Sequence, residues 1–110
     1  MITWQDFEKV DMRVGKVLTV KDFPEARQRA YKLTIDFGNE IGVKKSSAQI
    51  TDLYSKEDLK DRLVIAVVNF PPKQIGPFMS ECLVMGAYND DGHVVLIQPN
   101  KGVQAGAKIG

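Results

Sequence analysis

A chain of 110 residues makes one domain, and 44% hydrophobic residues are enough for a single core and too many for a disordered chain. A formal net charge of +1 lacks the basic excess usual in domains that grip many phosphates. No apolar run reaches the length of a membrane span, the start MITWQDFEKVD lacks a signal peptide's basic and apolar regions, and the single cysteine, Cys82, cannot form an internal disulfide. These features point to a cytoplasmic protein without membrane insertion.

In chain order, Thr3 is placed to cap a first helix over Trp4–Lys9, with Asp6 three residues on and Ile2 and Phe7 as a hydrophobic staple. Met12–Lys21 reads as a strand in which Gly15 suggests a bulge or bend. Tyr31, Leu33, Ile35 and Phe37 alternate with Lys32, Thr34 and Asp36, the period of a sheet with one wet face. Gly38-Asn39 is a plausible hairpin turn into Ile41–Ser47. Ser55 caps a second helix, about Lys56–Asp61, with Asp58 completing the box and Tyr54 and Leu59 as staple. Leu63–Val68 is apolar without a gap, as in a strand buried on both faces. Pro71, Pro72, Gly76 and Pro77 forbid a helix next and predict an extended loop carrying Lys73, Phe78 and Met79. Glu81–Ala87 is the following strand, and Asn89-Asp90-Asp91-Gly92 turns into His93–Gln98. Five or more short strands, with a helix before the fourth, predict an all-β fold: a five-stranded Greek-key barrel of the oligonucleotide-binding (OB) type.

Pieces remain outside that barrel. Ile2, Trp4, Phe7 and Val10 form an apolar stripe before it, and Val94–Ile97, Val103 and Ile109 lie beyond it. They either close their own barrel or form a two-fold interface. The interface is the reading adopted, because a five-stranded barrel does not need both extensions to fill its core. It places Trp4, Phe7, Val103 and Ile109 at or near a homodimer contact.

The chemistry of an enzyme is missing. His93 has no second histidine or cysteine pair to share a zinc ion, so no metal site is expected. There is no phosphate-binding glycine loop, no paired carboxylates that read as an acid and base, and no base beside Ser46-Ser47. Cys82 lies in an apolar strand and reads as a buried, inert thiol. The expectation is a non-enzyme without a cofactor. Between Lys21 and Ser47, six basic residues (Lys21, Arg27, Arg29, Lys32, Lys44, Lys45) outnumber four acidic ones, so one face is either mildly positive or simply solvated.

The motifs DFEKVDMRVGKV (residues 6–17), FPEARQRAYKLTIDFG (23–38), VVNFPPKQIGPFMSE (67–81) and VVLIQPNKGVQAGAKIG (94–110) recur in order. They resemble the tRNA-binding domains found at the C-terminus of some methionyl-tRNA synthetases and in related free-standing dimeric proteins. The resemblance covers essentially the whole chain, and it implies an OB barrel with a C-terminal extension used in dimerisation. Two departures stand out. The second block, Phe23-Pro24-Glu25-Ala26-Arg27-Gln28-Arg29-Ala30-Tyr31, is longer before its tyrosine than is usual. Ser80-Glu81-Cys82-Leu83 stands where tRNA binders have a Ser-x-Gly-Met signature. The runs SSAQIT (46–51), YKL (31–33) and SECLVMG (80–86) resemble instead the export-chaperone branch of the family. That branch implies binding of unfolded secretory precursor proteins and cooperation with the export ATPase SecA, without ATP hydrolysis.

Two functions follow. A peptide-binding chaperone would use Phe78 and Met79 as adaptable apolar contacts, with Arg27, Arg29, Lys44, Lys45 and Lys73 supplying positive charge. Phe78 and Met79 could instead be plugs tucked into the core. A tRNA-binding module would use Lys44, Lys45, Ser46, Ser47 and Ser80 on the same barrel face.

Overall fold

The computed structural model describes residues 1–110. Five antiparallel strands form the main sheet in the order β3 (Val43–Ala48), β2 (Tyr31–Asp36), β1 (Met12–Asp22), β4 (Leu63–Val67) and β7 (Leu83–Val84). The sheet curls into a nearly closed OB-type barrel, as the strand pattern predicts. Two hairpins stand beside it: β5 (Lys73–Ile75) with β6 (Phe78–Ser80), and β8 (Gly86–Tyr88) with β9 (Val94–Leu96). Three short helices, α1 (Trp4–Glu8), α2 (Gly38–Ile41) and α3 (Lys56–Leu59), complete the chain. No helix is long and apolar enough to cross a membrane.

Local chemistry sets the helix starts. The Thr3 hydroxyl accepts from the Asp6 N–H at 3.1 Å while the Asp6 carboxylate accepts from the Thr3 N–H at 3.0 Å. Ser55 and Asp58 repeat the arrangement at 3.1 and 2.9 Å. Helix α3 ends where Lys60 turns extended and Asp61 adopts φ 65°, which sends the Asp61 N–H to the Val17 carbonyl and starts β4. Leu59 plugs the barrel from this helix and is fully buried among Val17, Leu33, Ile35, Phe37 and Val64.

Several expectations change. Gly15 is not a bulge. A Cβ there would lie 2.5 Å from Ile35 Cγ2 and 2.6 Å from Phe37 Cε1, so Gly15 makes room for Phe37 in the core. The register slips further along the strand, between Val17 and Thr19. The Gly38-Asn39 turn is one helical turn, entered and left through Gly38 and Gly42, both at φ 85°. The proline-rich loop folds into the β5–β6 hairpin around Gly76 (φ 56°) and Pro77. The strand expected over Glu81–Ala87 divides at Met85, whose N–H still donates to Ile65 of β4 while its carbonyl accepts from Ile97. Leu63 and Ile65 of β4 keep part of their surface exposed, so the strand is not buried on both faces.

The last turn of chain is a sheet partner. Val14 donates to Ala107, Gly106 to Val14 and Ile109 to Met12, so residues 106–109 run along the start of β1. Arg13 ties this segment down through the Gly106 carbonyl at 3.1 Å and the Asp11 carboxylate at 2.7 Å.

The barrel closes between β3 and residues 80–82, largely through side chains. Glu81 donates its N–H to the Lys45 carbonyl at 2.7 Å and accepts the Lys45 N–H on its carboxylate at 2.9 Å. The Ser46 hydroxyl donates to the Cys82 carbonyl at 2.9 Å, and the Ser47 N–H donates to the Ser80 hydroxyl at 3.1 Å. Ser46 is fully buried, so its bond is made away from water. Ser46→Ala leaves the Cys82 carbonyl without that donor and should cost about 1–2 kcal/mol, read as a lower urea midpoint. An unchanged midpoint would mean that closure does not depend on this bond.

The β5–β6 hairpin pairs Gln74 with Met79 and Ile75 with Phe78, which puts Met79 and Phe78 on opposite faces. Phe78 is half-buried and packs edge-on against Phe23, with ring centroids 5.4 Å apart at 61°. Met79 is 38% exposed. Phe78→Ser should therefore cost about 2–3 kcal/mol, and Met79→Ser under about 0.5 kcal/mol, in thermal or urea unfolding. Equal losses would contradict the two-faced hairpin.

Candidate functional site

The outer face of the first three strands carries two cross-strand rows. Lys21, Lys32 and Ser47 are opposite one another, and so are Thr19, Thr34 and Lys45. The Thr19 and Thr34 hydroxyls bond at 2.6 Å. Two connections flank this face, residues 23–30 and the β5–β6 hairpin, and their aromatic rings meet in the Phe23–Phe78 pair. Lys32 Nζ lies 5.4 Å from the Phe23 centroid, and Lys45 Nζ lies 5.4 Å from the Phe78 centroid. The four side chains form a cation–π cluster, with Lys45 exposed and Lys32 half-buried.

A groove runs between those connections. One part, about 500 Å³, lies against Arg27, Gln28, Ser47, Gln49, Lys73 and Gln74. It continues past Gln28, Ser47, Gln49 and Lys73 into a larger part of about 700 Å³. The floor of the larger part is apolar (Ala48, Ile50, Cys82, Val84 and Val94), and its rim carries Arg29, Lys73, Asp52 and Tyr88. The groove exists because β3 is tied to residues 80–82 at its Lys45 end, and β7 follows β4 from Leu83 onward.

The side chains expected to bind ligand divide into separate groups. Arg27, Arg29 and Lys73 are exposed and line the groove. Lys45 and Phe78 belong to the cation–π cluster, and Met79 lies on the other face of its hairpin. Lys44 pairs with the fully buried Ile35, so it points to the inner side of the sheet and does not act beside Lys45. One of the three serines needs correction as an RNA contact. Ser46 is sealed in the interior and donates to Cys82, which removes it from any ligand surface. Ser80 is occupied by the Ser47 N–H, and only Ser47 and Ser80 reach the groove. The Ser46 and Ser80 hydroxyls and the Ser47 N–H help to close the barrel.

Cys82 is buried, and burial pushes its thiol up to about 11, so it is neutral and a poor nucleophile near neutral pH. No three His, Cys, Asp or Glu side chains gather to hold a metal ion. At the chain ends, Trp4 is 82% exposed, and with Ile2 and Phe7 it lines a cleft of about 740 Å³ beside Gly110. Val103 is exposed, whereas Ile109 is half-buried in the segment paired with β1.

Sequence reasoning missed Phe23, Lys32 and the groove floor. The Phe-Pro step at residues 23–24 was a usable signal of a braced aromatic after the strand, which here is buried behind the Phe78 ring. Ile50 and Val84 gave no such signal, since each reads as an ordinary core residue, and Val94 reads as part of the extension beyond the barrel although it packs against the core.

A family model described as "Putative tRNA binding domain" matches residues 12–108. The CsaA chaperone protein from Picrophilus torridus has 55% sequence identity to this chain, with 100% of both chains covered and a TM-score of 0.94. Chaperone CsaA from Bacillus anthracis str. Ames has 49% identity, covering 100% of this chain and 99% of its own, with a TM-score of 0.93. The methionine–tRNA ligase of Thermococcus onnurineus is 38% identical over 109 residues, which are 98% of this chain but 14% of the ligase. The chain thus spans a small part of the curated relatives it matches. It belongs to the tRNA-binding-domain family, and within that family it is similar over its whole length to CsaA chaperones.

Proposed function

We propose that this single-domain protein is a molecular chaperone that holds unfolded precursor proteins in the groove beside β3. The groove itself carries this reading. Its floor is apolar, it is wide enough for side chains of many shapes, and Arg27, Arg29 and Lys73 stand along its sides. Binding of this kind needs no catalysis. The full-length similarity to proteins described as CsaA chaperones supports the same reading. We assign it to protein export in the cytoplasm, with SecA as partner and with a homodimer as the working unit.

A second reading, a tRNA-binding module, is favoured by a different observation. Half-buried Phe78 holds its ring under Lys45 and beside Lys32, with the buried Phe23 ring packed behind it, a combination suited to one stacked base and its phosphate. The net charge of +1 limits how many phosphates such a surface can neutralise.

Titration of the pure protein with an unfolded precursor, and separately with bulk tRNA, separates the two. Precursor binding should persist at physiological salt, and tRNA binding should be weak and fall steeply between low and physiological salt. Tight tRNA binding at physiological salt without precursor binding would reverse the assignment.

The dimer is tested at the chain ends, where Ile2, Trp4 and Val103 leave apolar surface exposed. Light scattering at micromolar concentration should give twice the chain mass, and Trp4→Asp should shift it toward the monomer by placing a charge in the contact. A monomer mass for the unaltered protein would refute the dimer.

A further inference from the structure

The barrel seam runs out of partners at a defined place. The Phe37 N–H donates to the Gly42 carbonyl, and this phase turns the backbone groups of Lys44, Ser46 and Ala48 toward β2. Those of Lys45, Ser47 and Gln49 face the other way. Lys45 is satisfied by Glu81, and the Ser47 N–H by Ser80. Beyond them, the Ser47 carbonyl and both backbone groups of Gln49 have no partner within the chain. Across the groove, the Met85 N–H donates to Ile65, and this phase points the N–H and carbonyl of Val84 away from β4. The groove therefore carries free backbone donors and acceptors at strand spacing, beside an apolar floor and two cations.

We propose that an extended polypeptide segment adds as a strand to the free edge at Ser47–Gln49. Its side chains alternate between the floor at Ile50, Val84 and Val94 and the rim at Arg29 and Lys73. The favoured segment has apolar residues alternating with acidic ones. Backbone pairing is the same for every sequence, so this edge suits a site that accepts many clients, and the rim charge supplies a preference. A phosphate fits less well, because it has no donor for the Ser47 and Gln49 carbonyls, and in a nucleic acid only a ribose hydroxyl or a base edge could supply one. The inference rests on the polypeptide-binding reading above and adds how the chain is held.

The probe is a fluorescein-labelled octapeptide of alternating valine and glutamate, measured by anisotropy alongside an unfolded precursor. Two further peptides carry N-methyl groups, one on the valine amides and one on the glutamate amides. One of the two should bind about tenfold more weakly than the parent and the other within about twofold, because only one set of amides faces the edge. Gln49→Pro removes the Gln49 N–H and should weaken binding several-fold more than Gln49→Ala, which trims the side chain but keeps that N–H. A valine–lysine octapeptide should bind at least about tenfold more weakly. If both N-methylated peptides bind like the parent, or if Gln49→Ala weakens binding as Gln49→Pro does, strand addition is wrong. Should Gln49→Pro fail to fold, the N-methylated peptides decide alone against the unaltered protein. Precursor binding that persists while strand addition fails leaves the chaperone reading intact. Absence of both precursor and peptide binding overturns both, and binding of bulk tRNA without the peptide gives the groove to nucleic acid.

Discussion

The barrel depends on how its two edge strands are joined. An open five-stranded sheet leaves unpaired backbone along both edges, and a complete ladder between them would remove it. Here the edges meet over only a few residues, where the Ser46 and Ser80 hydroxyls and the Glu81 carboxylate supplement a single backbone bond. Side chains can bridge strands that are too far apart or too oblique for a ladder. They fasten the Lys45 end and leave the Gln49 end apart. The groove results from this partial closure, and its apolar floor is the barrel core seen through the gap.

The same closure accounts for the grouping of the charged residues. Strand alternation sends Lys45 outward to the Phe78 ring and Lys44 inward beside Ile35, although the two are neighbours in the chain. The β5–β6 hairpin delivers Phe78 to Phe23 and Lys73 to the groove from a single face. Two surfaces of different chemistry then lie side by side. One is a cation–π cluster on the wet face of the sheet, and the other is an apolar cleft with a cationic rim. Their proximity underlies the two proposed readings, with the low net charge weighing against broad contact with nucleic acid.

The chain ends show how a sheet can be completed from a distance. Residues 106–109 take the place beside the start of β1 that β2 leaves vacant after Asp36. This pairing satisfies backbone groups of Met12 and Val14 and brings the C-terminus next to α1. Ile109 is half-buried beside β1, while Ile2, Trp4 and Val103 stay in water. Part of the extension therefore completes the chain's own sheet, and apolar surface is left over on Ile2, Trp4 and Val103.

Much of the fold was legible from local rules. The period-2 pattern of Tyr31–Phe37, the capping boxes at Thr3 and Ser55, and the turn at Asn89–Gly92 depend on residues within a few positions of each other, and such interactions survive without knowledge of the rest of the chain. The ordered motifs likewise carried the family. What depends on long-range packing was not legible. Gly15 reads as a bulge until Phe37 is seen against it, and Ser46 reads as a polar surface residue until Cys82, 36 positions away, is found to accept its hydrogen bond. The sequence by itself determined the first four barrel strands, the helix starts and the stock of cations and rings, because these follow from neighbours along the chain. Only the tertiary structure decided which serines are structural, which lysines share a face and where the seam stays open, because each depends on two strands meeting from distant parts of the chain.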